Sequence, residues 1–130
     1  MYRNKINASG EEYLKWILRV QKEIGPVRSI DLAVYMGFSR ASVSKAIKKL
    51  EINGFLNRDQ EGYLTFTDKG LKVAESFNER HEFFTNFLIS AGIDENTALA
   101  EACAMEHAVS EASFRKLKSK YEEFLVKEEK

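Results

Sequence analysis

The stretch Ser29–Phe66, SIDLAVYMGFSRASVSKAIKKLEINGFLNRDQEGYLTF, decides the fold. Ser29 is a suitable N-cap for a short helix over Ile30–Met36, and Gly37 ends it. Ser39 caps a longer helix from Arg40 to about Asn53, with Gly54 just past its end; its Val43, Ile47 and Leu50 recur at helical spacing and face inward. Two helices joined by a tight turn at Gly37–Phe38 make a helix-turn-helix. Phe55–Arg58 and Tyr63–Phe66 then flank the polar turn Asp59–Gly62 and read as a β-hairpin, after which Thr67 and Asp68 open another helix. Upstream, Glu11–Ile24 sets Tyr13, Leu14, Ile17, Val20 and Ile24 on one helical stripe, stopped by Gly25-Pro26. Helix, helix-turn-helix, two-strand hairpin, helix is the order of a winged helix-turn-helix. The fold class is mainly α with a small β-hairpin.

Past the hairpin the chain changes character. A long helix is expected over Asp68–Leu88, then a turn at Gly92 and a helix from near Asp94. Ser110 interrupts that helix and caps a last one, Glu111 to about Lys127. Residues 1–70 are therefore expected to form the winged-helix domain and 71–130 an all-helical domain. In the second, Phe114, Leu117, Tyr121, Phe124 and Leu125 form an apolar seam, and Phe83, Phe84, Phe87 and Leu88 crowd the end of the long helix. One thin helical layer does not easily bury so much aromatic surface, so the expectation is a homodimer.

A recognition helix enters the major groove by its N-terminal residues, while its flanks and the wing touch phosphate. Arg40, Ser42, Ser44 and Lys45 lie off the apolar face of the first turns and are candidates for base edges. Ser39 can offer its hydroxyl and the helix N-terminus to a phosphate. Lys48, Lys49, Arg28 and the wing's Arg58 suit backbone neutralisation. The net charge is zero, yet residues 1–80 carry +4 and residues 81–130 carry −4. Between Ser39 and Arg58 stand five basic residues and one acid, Glu51, so a neutral protein still presents a cationic face to double-stranded DNA.

Composition narrows the rest. At 130 residues and 44% hydrophobic, the chain has apolar material for a core, but no run approaches the roughly 18 apolar residues of a membrane span. Residues Met1–Ala8 have no signal-peptide core, and a single Cys excludes an intrachain disulfide. The expected location is the cytoplasm, with no membrane partner. No nucleophile–base pair or Gly-rich phosphate loop argues for an enzyme.

Cys103, Glu106 and His107 form C-x-x-E-H, and spacings of three and four residues put all three on one helical face. A thiolate, a carboxylate and an imidazole can then converge on one metal ion. His81 sits within the stripe Ala74, Phe77, Phe84, Leu88, where a titratable ring needs something to pair with. Glu12, one residue before the core-facing Tyr13, could approach the same point if the first helix packs back on the C-terminal half.

With these motifs in order, the chain from Glu11 to Leu125 resembles the diphtheria toxin repressor family of iron- and manganese-dependent repressors. The likeness is carried by Glu11-Glu12-Tyr13-Leu14, Ser42-Val43-Ser44-Lys45, Leu64-Thr65-Phe66-Thr67-Asp68-Lys69-Gly70, Arg80-His81-Glu82 and the run Glu101 to His107. The resemblance implies metal-loaded homodimers that bind palindromic operator DNA and repress metal-uptake genes. It implies Cys103, Glu106 and His107 as ligands, Glu12 as the ligand from the first helix, and His81 as the histidine of a second, neighbouring site. Carboxylate and imidazole suit Mn(II) and Fe(II), while a thiolate tilts toward Fe(II), Co(II) or Zn(II). Lys15 stands where manganese-sensing members carry a second carboxylate, and Thr85 and Leu99 where iron-sensing members have further second-site ligands, so the second site is left open. The chain ends in the charged tail Lys127–Lys130, which fits a short, manganese-type layout without the C-terminal domain of longer members. The rival expectation is a metal-independent winged-helix regulator responding to a small organic ligand.

Overall fold

The computed structural model describes residues 8–129, with side chains from 9 to 125. Met1–Asn7 and most of the charged tail's side chains thus lie outside the described residues. Among these residues are six helices and one two-stranded hairpin, in two compact units, Met1–Asn78 and Glu79–Lys130.

In the N-terminal unit α1 spans Ala8–Ile24, α2 Ser29–Met36 and α3 Arg40–Ile52. Tyr13, Leu14, Ile17 and Val20 are buried as their spacing requires, but Ile24, on the last turn of α1, is 47% exposed. The helix ends at Gly25 before that residue can reach the core. Helix α2 begins one residue earlier than expected: Arg28 takes the N-cap position and its backbone N–H donates to the Asp31 carboxylate at 2.9 Å. Gly37 closes α2 in the left-handed region (φ 70°), which costs glycine no Cβ strain and permits the tight turn into α3. Val43, Ile47 and Leu50 turn inward from α3 to meet Leu14, Ile17 and Leu32 in one apolar cluster.

The hairpin pairs β1 (Leu56–Arg58) with β2 (Leu64–Phe66) antiparallel, in the register Leu56↔Phe66, Asn57↔Thr65 and Arg58↔Leu64. Asp59 organises its turn, its carboxylate accepting from the Glu61 and Tyr63 backbone N–H groups at 3.0 and 2.9 Å. A further bond, Leu64 N–H to Val27 O at 2.7 Å, ties the hairpin to the link between α1 and α2. Thr67 then caps α4 (Asp68–Ser90): its hydroxyl donates to Gly54 O at 2.7 Å and accepts from Gly70 N–H at 3.0 Å. At Gly70 the helix passes so close to Phe55, the residue before β1, that an added Cβ would lie 1.8 Å from its carbonyl oxygen. Glycine is required there by space, not by φ.

In the C-terminal unit, the end of α4 packs with α5 (Glu95–Met105) and α6 (Glu111–Glu129) around Phe84, Leu88, Ala98, Ala102 and Phe114. Both helix starts are capped: Asp94 accepts from Thr97 N–H at 3.0 Å, and Ser110, as expected, from Ser113 N–H at 3.1 Å. Phe83 joins this core edge-on to Phe84, Phe114 and Tyr121. The apolar seam is only half covered: Phe114 is buried, whereas Leu117, Phe124, Leu125 and Phe87 remain exposed. No described helix is long and apolar enough to cross a membrane.

Candidate metal centre and nucleic-acid interface

The metal candidates of the C-terminal unit do come together, though not from one helix. Helix α5 stops at Met105. Glu106 keeps helical angles (φ −64°, ψ −23°) and its N–H still bonds to Ala102 O at 2.9 Å, while His107 already lies in the turn that follows. The expected single helical face is therefore a helix plus its C-terminal turn. The fully buried Glu106 carboxylate lies 3.1 Å from His81 Nδ1 through Oε2 and 3.5 Å from His107 Nε2 through Oε1. Ligand atoms of His81, Cys103 and Glu106 all fall within 4.8 Å of one another.

Burial is what makes this arrangement chemical. His81 is 4% exposed and Glu106 not at all, and a carboxylate held in such surroundings is costly without a cation or donors beside it. Imidazole nitrogen, thiolate sulfur and carboxylate oxygen are the donors that borderline divalent transition ions take. In the tautomer that donates Nδ1–H to Glu106, the lone pair sits on the other ring nitrogen, as in metal-ligating histidines whose second nitrogen donates to a carboxylate. The donor set fits a metal ion.

His81 thus lies beside Cys103 and Glu106, although the resemblance implies for it a second, neighbouring site. Glu12 lies in α1 of the N-terminal unit, where its carboxylate accepts from Trp16 Nε1 at 2.8 Å and pairs with Lys15 Nζ at 3.0 Å. Lys15 is fully buried, and its ammonium partly neutralises Glu12. Thr85, one turn after His81, is buried, and Leu99, one turn before Cys103, is 37% exposed and offers no donor atom.

Sequence reasoning passed over Arg80. It is 1% exposed, and its guanidinium donates to Glu106 O at 2.9 Å, Val109 O at 2.6 Å and the Glu111 carboxylate at 3.0 Å. The signal was present: Arg80 stands three residues after the buried Phe77 and four before the buried Phe84, on the inward stripe.

The DNA candidates all lie on the surface of the N-terminal unit. Arg28, Ser39, Arg40, Ser42, Ser44, Lys45, Lys48, Lys49 and Arg58 are exposed. Arg28 stacks on the wing residue Tyr63, 4.4 Å from the ring centre, and is held at the wing, while Arg58 pairs with Glu51 of the recognition helix at 2.6 Å. The Ser39 hydroxyl is already engaged, accepting from Ser42 N–H at 3.1 Å and donating to Ser42 Oγ at 2.9 Å. What Ser39 can offer a phosphate is the helix N-terminus more than its own hydroxyl.

A winged helix carrying exposed cations, together with a helical unit carrying a buried N/S/O cluster, defines a regulator of the metal-responsive class. Family models agree. The iron-dependent repressor N-terminal DNA-binding domain matches residues 5–65, and the iron-dependent repressor metal-binding and dimerisation domain matches residues 67–128. The chain belongs to the iron-dependent repressor family of metal-dependent transcriptional repressors. It is 32% identical to an HTH-type transcriptional regulator of Methanocaldococcus jannaschii, over 92% of this chain and 97% of that protein. It is 33% identical to the transcriptional regulator MntR of Escherichia coli over 78% of this chain and 65% of that protein. Among solved structures, a manganese-dependent transcriptional repressor complex with manganese superposes with a TM-score of 0.74 at 30% identity, covering 85% of this chain and 51% of that one. The chain thus spans about half to two thirds of the length of several relatives it matches.

Proposed function

We propose that the protein is a metal-responsive repressor that binds palindromic operator DNA as a homodimer and governs genes of metal uptake. The observation that carries the reading is the meeting of His81, Cys103 and Glu106, buried or half-buried, within 4.8 Å in the unit whose family model is a metal-binding and dimerisation domain. His107, 3.5 Å from the other oxygen of Glu106, and Glu12 from α1 are the further ligands proposed beside Cys103 and Glu106, with His81 proposed for a neighbouring site. An ion bound there supplies positive charge that offsets the buried carboxylate. Mn(II) and Fe(II) suit the carboxylates and imidazoles, and Cys103 favours Fe(II), Co(II) or Zn(II).

The exposed Phe87, Leu117, Phe124 and Leu125 are the surface expected to pair two copies. Two recognition helices roughly one duplex turn apart match a palindromic site. The residues of the N-terminal unit divide the work: Arg40, Ser42, Ser44 and Lys45 read base edges, while Arg28, Ser39, Lys48, Lys49 and Arg58 neutralise phosphate. Linking Glu12 of the DNA-binding half to Glu106 and His107 restricts how far apart the two recognition helices can lie. Ligand binding and operator binding then favour one state, and a coupling of about 1–3 kcal/mol gives a 5- to 150-fold change in DNA affinity.

The test is fluorescence anisotropy with a palindromic promoter fragment, titrating Mn(II), Fe(II), Co(II) and Zn(II) against a chelator. The parent chain gains DNA affinity with at least one ion, and Cys103→Ala, Glu106→Ala and His107→Ala remain folded yet lose that gain. Chelator-independent affinity in the parent, or an unaltered response in all three variants, refutes the reading.

A further inference from the structure

We infer that Arg80 is a positioning residue: it holds the turn after α5 in the shape that presents Glu106 and His107 to a metal. The inference rests on the metal reading above and extends it to a side chain that offers no donor atom to a metal. A helix leaves its last carbonyls without intrahelical partners. Here the Glu106 and Val109 carbonyls both receive the same Nη1 of Arg80, at 2.9 and 2.6 Å. Nη2 reaches forward to the Glu111 carboxylate on the first turn of α6, at 3.0 Å. One planar guanidinium therefore ties the end of α5, the turn and the start of α6 to α4.

The geometry points to ligand placement beyond general support. Arg80 grips the main chain of Glu106 while its neighbour His81 grips the side chain of the same residue, at 3.1 Å. Glu106 is thus fixed at both ends by consecutive residues of α4. The clamp is itself braced: Glu111 also accepts from Arg115 Nε at 2.9 Å, and Arg115 grips Glu79 through two bonds of 2.9 and 2.6 Å. A cation at a helix C-terminus is favoured by the helix dipole as well. Lysine offers the same charge and three donors but on a single nitrogen, so it cannot stand at both the Nη1 and Nη2 positions at once.

Two readouts on the purified full chain test this. In metal-free protein, amide hydrogen exchange at Ala108, whose N–H donates to Met105 O at 3.0 Å, accelerates in Arg80→Lys while exchange in the middle of α4 and α6 does not. In Co(II) titrations followed by thiolate-to-cobalt absorption, Arg80→Lys binds about 10- to 100-fold more weakly than the parent. Should Arg80→Lys fail to fold, Glu111→Gln removes one tether from an exposed side chain and shows the same two changes, smaller in size. Unchanged exchange at Ala108, or a Co(II) affinity within twofold of the parent, overturns the role of Arg80. A parent chain with no thiolate band, indistinguishable from Cys103→Ala, overturns the metal reading instead, and the exchange experiment still decides whether Arg80 holds the turn.

Discussion

The two units place their candidate functional groups differently. In the winged helix every charged or hydroxyl group assigned to DNA stands on the surface, and the buried charges Glu11 and Lys15 of α1 lie apart from them. In the helical unit Arg80, His81 and Glu106 are buried, while Phe87, Leu117, Phe124 and Leu125 face outward. The first arrangement suits a partner that is a polyanion, met by surface cations with little desolvation. The second suits a small ion, which needs donors withdrawn from water, and a second protein surface, which needs exposed apolar area. On the proposed function, the contrast separates reading from sensing within one chain.

That contrast can be attacked first at the aromatic centre of the sensing unit. Phe114 is fully buried, edge-on to Phe83 and beneath the Arg80 and Arg115 guanidinium groups. Phe114→Ala is expected to cost about 3–5 kcal/mol, seen as a lower urea midpoint with amide protection lost first in α5 and α6. Equal loss of protection in α2 and α3 would show that the units do not keep separate cores.

A smaller effect is expected at the wing. Gly70→Ala places a Cβ 1.8 Å from Phe55 O and 2.8 Å from its carbonyl carbon, both backbone atoms that cannot rotate away. The expected loss is about 1–3 kcal/mol or somewhat more, with protection falling at Thr67 and Leu64. An unchanged midpoint would mean that α4 and the hairpin slide apart freely, and the wing would then be a poor platform for Arg58.

The smallest expected effect is electrostatic. Glu79 is held below the ordinary carboxylate range by its hydrogen bond from Arg115 first and by Lys118 as well, against the opposing effect of burial. A carboxylate depressed in the folded state adds stability above its unfolded pKa and loses it as pH falls through the folded value. The parent's melting temperature should therefore drop more steeply than that of Glu79→Gln on acidification below the ordinary glutamate pKa of about 4.3. The site is partly exposed, so salt should shrink the difference. Parallel curves would remove Glu79 from the brace behind Arg80.

Much of the fold was legible because its signals are local. Ser39 and Ser110 act within three residues of themselves, and their caps appear where the sequence expects them. The spacing of Val43, Ile47 and Leu50, and the two apolar runs around Asp59–Gly62, likewise report helix and hairpin directly. Of the candidate site, C-x-x-E-H and the misplaced polarity of His81 were visible for the same reason.

The sequence by itself thus determined the order of elements, the inward and outward faces, and the residue types available to DNA and metal. Only the tertiary structure decided where α5 ends, that His81 meets Glu106 across 25 residues, and that Arg80 is buried against carbonyls up to 29 residues away. Periodicity and capping are written into neighbouring residues. The partner of a buried charge is chosen by which surfaces the folded chain brings together, and a single stretch of sequence does not carry that choice.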